Sequence, residues 1–129
     1  MKEQFIHVDE AGDKFYYSDR EMYTLHREDG PAVEWVNGAK EWWVDDKRHR
    51  KDGPAVEHTN GGKSWYINGK RHREDGPAIE RASGDKEWWI NDKRLTEDEF
   101  NARMNPVELT LEDIAAKFGV SVDQLKIKK

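Results

Sequence analysis

The sequence predicts a mainly β protein: an antiparallel meander of about four 23-residue hairpin repeats, followed by short C-terminal helices (β+α). Three observations predict it. Asp29, Asp52 and Asp75 each open the tetrapeptide DGPA, at spacings of 23 and 23. A Gly-x-Lys-x-aromatic-aromatic signal accompanies each copy. After Arg94 the periodicity changes from that of strands to that of helices. Internal repeats dictate architecture, because each unit buries its apolar face only against its neighbours.

A degenerate first copy is Gly12-Asp13-Lys14-Phe15-Tyr16-Tyr17. It lies 26 residues before Gly38, which implies three extra residues near "REMYTL". Each later unit reads as two short strands. One is "PAVEWV", "PAVEHT" or "PAIERA"; the other is "KEWWV", "KSWYI" or "KEWWI". Asn37-Gly38 and Asn60-Gly61 lie between strands and Asn68-Gly69 follows one, a hairpin signal because both residue types tolerate positive φ. Asp45-Asp46 and Asn91-Asp92 occupy the place of Asn68-Gly69. Proline opens a strand, where its missing N–H does little harm. A meander of about seven or eight strands follows.

Strand alternation sorts the faces. Trp42 with Val44, Trp65 with Ile67 and Trp88 with Ile90 point one way. Trp43, Tyr66 and Trp89 point the other way, joined by Tyr16 of the first copy. One ladder, with Val33, Val56 and Ile79, forms the main core. Lys40, Lys63 and Lys86 face the repeated Glu34, Glu57 and Glu80 on neighbouring strands.

The repeat sheet is expected over residues 1–95 and a helical cap over 96–129. Thr96 and Glu99 form a capping box, and that helix runs to about Met104, ahead of Pro106. Phe100 and Met104 share a face. A second helix starts after Thr110 with Leu111, Ile114, Ala115 and Phe118 as its apolar stripe and Gly119 at its end. Ser121 caps a last short helix. This helix–Gly–helix segment is helix-turn-helix-like, but its recognition helix is short and carries Asp123. End-capping of the array is the better reading.

Composition bounds the rest. The 129 residues are 35% hydrophobic and 38% charged, a balance that leans toward disorder unless the six Trp, four Tyr and four Phe are buried. The absence of cysteine removes disulfides and thiolate chemistry. No secretory signal or membrane span is expected, which points to the cytoplasm. The net charge of −5 opposes non-specific nucleic-acid binding.

The repeated His-Arg-x-Asp is the one constellation that resembles acid–base machinery: His26, Arg27, His49, Arg50, His72 and Arg73, with Asp29, Asp52 and Asp75. Equivalent residues one repeat apart sit two strands away, roughly 9–10 Å. That is too far for one metal ion, so no metal and no cofactor are expected. Repetition also argues against catalysis, since an active site is asymmetric. The structural reading has Asp capping the turn through its own backbone, while Arg stacks on the next repeat's aromatic or pairs with Asp. Two binding ladders are the candidates: the aromatics Tyr16, Trp43, Tyr66 and Trp89, and the loop residues His26, Arg27, His49, Arg50, His72 and Arg73.

"WYINGKRHREDGPAIE" resembles the MORN repeat family, and the resemblance extends over roughly residues 10–95. It is a variant, because His-Arg replaces the usual second Gly of the return. The HRxDGPA form is associated with small phage and giant-virus proteins. The resemblance implies a β-repeat scaffold with a binding role, and it carries no catalytic residues over. The expected function is therefore a non-enzymatic viral scaffold that engages a host or viral protein and interferes with a host factor or defence system. The alternatives are a nucleotide binder using the aromatic and His/Arg ladders, or DNA binding by the C-terminal segment. A homodimer through a sheet edge is a further expectation.

Overall fold

Two kinds of tight turn build the array. At Trp35–Ala39 the Gly38 N–H donates to the Trp35 carbonyl and the Trp35 N–H to the Ala39 carbonyl, 2.9 Å each. Gly38 alone takes positive φ, 99°, and the Asn37 side chain accepts from the Ala39 N–H at 2.9 Å. This is a type I turn with a left-handed bulge residue. The same pattern recurs at His58–Gly62 and Arg81–Asp85. The second kind has two consecutive positive-φ residues: Asp45-Asp46, Asn68-Gly69 and Asn91-Asp92. These are two-residue turns of the type I′ class, and short polar side chains tolerate them. Of the three Asn-Gly pairs, only Asn68-Gly69 has positive φ at both residues.

The computed structural model describes residues 3–104. In chain order its elements are β1 (Phe5–Val8), β2 (Lys14–Tyr17), β3 (Val33–Glu34), β4 (Lys40–Glu41), β5 (Trp43–Val44), β6 (Lys47–Arg48) and β7 (Val56–Glu57). Then follow β8 (Lys63–Ser64), β9 (Tyr66–Ile67), β10 (Lys70–Arg71), β11 (Ile79–Glu80), β12 (Lys86–Ile90), β13 (Lys93–Leu95) and α1 (Glu97–Met104). Nine strands form one antiparallel sheet, β1-β2-β3-β4-β7-β8-β11-β12-β13. The hairpins β5–β6 and β9–β10 are separate two-stranded pieces.

The protein is thus the mainly β hairpin array that the repeats predict, but with thirteen short strands among the described residues in place of about seven or eight, because the connectors add β6 and β10 and two expected strands divide. The expected strand "KEWWV" divides at Trp42, and "KSWYI" divides at Trp65. Partner exchange is the reason. Lys40–Glu41 pairs with β3 and β7. Beyond Trp42 the chain pairs with its own return strand β6, and the Trp43 carbonyl accepts from the Arg27 N–H of the preceding connector at 3.0 Å. Successive small hairpins stack: the Gly69 N–H donates to the Arg48 carbonyl and the Asp92 N–H to the Arg71 carbonyl. In the first unit the three extra residues fold residues 18–25 into a loop. The Asp19 carboxylate accepts from the Tyr23 and Thr24 N–H groups at 3.0 and 2.8 Å.

Cross-strand register places Val33 opposite Phe15 and Glu41, and Val56 opposite Glu41 and Ser64. Val33, Val56 and Ile79 therefore share the face of Trp43, Tyr66 and Trp89. The other face carries Ala32, Ala55 and Ala78, all 0% exposed. The Thr96–Glu99 capping box forms reciprocally at 3.0 and 3.1 Å. α1 buries Phe100 against Ile90 and Leu95, with Trp88 and Met104 beside them. The later helices and the helix-turn-helix-like segment lie outside the described residues.

Candidate functional site

The recurring decapeptide folds as one connector, and its geometry repeats three times. Arg50 is its hub. Its Nε donates to Asp52 at 3.2 Å and its Nη1 to the Pro54 carbonyl at 3.1 Å and to Glu57 at 3.5 Å. Arg27 makes the same set with Asp29, Pro31 and Glu34, and Arg73 with Asp75, Pro77 and Glu80. Each guanidinium also lies over an aromatic ring: Arg27 over Tyr16 at 4.0 Å, Arg50 over Trp42 and Arg73 over Trp65 at 3.8 Å. The ring belongs to the preceding hairpin, not the next repeat. The Asp side chain bonds to the Arg Nε rather than closing its own turn.

This hub explains the glycine. A Cβ at Gly30, Gly53 or Gly76 would stand 3.0, 2.9 and 2.9 Å from the Arg Cζ. No φ is strained there; the guanidinium needs the space. The Ala that follows is fully buried, and its carbonyl accepts from the backbone N–H of the aromatic residue, as Ala55 does from Trp42 at 2.7 Å.

The histidines lock neighbouring repeats. His26 Nδ1 accepts from the Asp45 N–H, His49 from Asn68 and His72 from Asn91, at 3.0, 3.0 and 3.1 Å. An imidazole that accepts at Nδ1 carries its proton on Nε2. His26 Nε2 faces Glu28 at 3.3 Å and His72 Nε2 faces Glu74 at 3.4 Å. His49 has Lys51 in that place. Burial, and then the Lys51 charge, hold the His49 pKa below its ordinary value.

The aromatic ladder is partly different from the expected one. Trp43, Tyr66 and Trp89 do share a face, but each is half-buried under a guanidinium. Arg48 lies 5.1 Å from Trp43 and 5.5 Å from Tyr66, and Arg71 lies 3.6 Å from Trp89. The Trp43 and Trp89 indole N–H groups donate to Glu41 and Glu87. Tyr16 stands on the opposite face. Its N–H donates to Ala32 and its carbonyl accepts from His26, the pattern of Trp42 and Trp65. Counting from Lys14 matches Tyr16 to Trp42, so Tyr17 is the counterpart of Trp43. The expected Lys–Glu register also forms, with Glu34 opposite Lys40 and Glu57 opposite Lys63. The Glu side chains nevertheless pair with Arg27, Arg50 and Arg73.

What remains open is a feature that residue-by-residue reading missed. Between consecutive connectors run two grooves related by the repeat. One, of about 740 Å³, has Trp65 and Ile67 as its floor and the 50–53 and 72–75 connectors as walls. The other, of about 630 Å³, has Trp42 and Val44 as its floor. The 23-residue period could have revealed them, since connectors two strands apart must leave a trough between them. The third floor, Trp88 and Ile90, is covered by Phe100 and Met104. Among the described residues, no three His, Asp or Glu side chains gather as a metal site, and no helix is long and apolar enough to cross a membrane. Compared with protein-family models, curated proteins and solved structures, the chain finds no match.

Proposed function

We propose that the chain is a non-enzymatic binding protein, a viral, phage-type scaffold of MORN-like hairpin repeats. It engages a host or viral protein, with interference in a host factor or defence system as the outcome. One observation carries the binding reading. The open grooves repeat a floor of Val or Ile beside a Trp that carries its repeat's guanidinium, and the chain itself packs Phe100 on the equivalent Ile90 at its C-terminal end. A floor of this kind accepts apolar side chains projected from a partner, and aromatic anchors in pockets dominate protein recognition. The resemblance of the HRxDGPA pattern to phage-type repeats supports the viral part.

The His/Arg/Asp set gives little support to chemistry. Its Arg, Asp and Glu groups pair with one another in all three copies. A nucleotide phosphate at Arg50 or Arg73 would compete with Asp52 and Glu57, or with Asp75 and Glu80, for the same N–H groups. The test is capture from bacterial lysate by wild-type protein and by Ile67→Arg and Val44→Arg, which charge the groove floors. A partner retained by wild type and lost by both variants is expected. Equal capture by all three rules the grooves out, and capture of nothing above background removes the binding reading. Thermal stabilisation by a nucleotide panel would instead favour a small ligand.

A further inference from the structure

The two ends of the sheet are not alike. At the C-terminal end α1 packs on β12 and β13 and buries Leu95 and Phe100. At the other end β1 is the edge strand, and among the described residues no strand pairs with its outer side. Ile6 and Val8 are 51% and 53% exposed there. Edge strands normally carry a lysine, a proline or a bulge that blocks further pairing. Phe5–Val8 carries none of these and pairs regularly with β2.

The ladder says which backbone groups are open. Tyr16 turns its N–H and carbonyl away from β1, to Ala32 and His26. Its opposite residue, Ile6, therefore directs its own N–H and carbonyl outward. Asp9 donates inward to Asp13, so Val8 also faces outward. We propose that β1 pairs antiparallel with β1 of a second copy about a two-fold axis at His7. In that register Ile6 lies opposite Val8 of the partner copy, and the two exchange both hydrogen bonds. By symmetry, four backbone bonds form.

Side chains fit the same register. Ile6 and Val8 meet across the axis on one face. On the other face His7 meets its own copy, in a pair about 4.5 Å apart at Cα. Continued one step, the register sets Phe5 opposite Asp9 of the second copy. Arg20 lies 6.0 Å from the Phe5 ring, so each end of the paired strands brings a cation toward a carboxylate. Because the contact is two-fold and uses β1 of both copies, the pairing closes as a dimer. This surface is separate from the grooves, so it stands or falls independently of them.

The test exploits the self-facing His7. Full-length wild type, His7→Glu and His7→Lys are compared by size-exclusion chromatography with light scattering. Wild type is expected to be a dimer. Each variant alone places like charges opposite each other and shifts toward monomer, and an equimolar mixture of the two restores the dimer. Val8→Pro removes an outward N–H without touching β2 and weakens the dimer by roughly tenfold or more. Circular dichroism confirms that the variants keep the sheet. A monomeric wild type overturns the proposal. So does a dimer that both charge variants and Val8→Pro leave unchanged.

Discussion

A single arginine per repeat explains most of the recurring motif. Asp, Gly, Pro, Ala and Glu each answer to Arg50 or to the ring beneath it: a salt bridge, a space, a carbonyl, a buried methyl and a second carboxylate. Substituting Gly53 therefore tests the hub. Gly53→Ala places a methyl group 2.9 Å from the Arg50 Cζ and forces the guanidinium off Trp42. The guanidinium is the end of a flexible side chain, so the expected loss is that of its stacking and one hydrogen bond, about 0.5–1.5 kcal/mol, read as a lower urea midpoint with unchanged slope. Gly61→Ala meets nothing within 4 Å and suffers only from its positive φ of 95°, which separates contact from backbone strain.

Between elements, the joint is the histidine-to-turn hydrogen bond. Asn68 can donate to His49 only while Nδ1 is unprotonated. The His49 pKa is lowered in the folded state, by burial first and by Lys51 second. The folded chain thus binds fewer protons than the unfolded one. This contribution to stability is complete above the unfolded pKa of about 6.5 and is lost as pH falls through the lower folded value. A melting temperature that declines on acidification through this window is expected. Lys51→Glu gives His49 the carboxylate neighbour that His26 and His72 have, and should raise its pKa in an NMR titration of the ring protons. An unmoved titration would remove Lys51 as a cause.

For the whole molecule, near-identical joints imply additive, modular stability. Excising residues 47–69 joins Asp46 to Lys70, removing one 23-residue period while keeping every cross-repeat bond in register. The shortened chain should fold with the same circular dichroism signature per residue and a lower denaturation midpoint. Excising 20 residues from the same region shifts the register and should abolish cooperative unfolding. Equal behaviour of the two deletions would argue against modularity.

Local sequence determined the repeat period, the hairpin order, the three-residue insertion and the Thr96 capping box. All of these rest on nearest-neighbour chemistry: turn residues, alternation and caps act within a few positions of themselves. Tertiary structure alone decided the rest. The partner exchange at Trp42, the seat of Arg50 over Trp42 and the position of Tyr16 depend on which strands meet. The trough between connectors and the helix over Trp88 depend on how far apart the units stand. Sequence spacing carries the period of the array, but a contact across 8 to 19 positions, such as Arg50 to Trp42 or His49 to Asn68, exists only once the sheet has set its register.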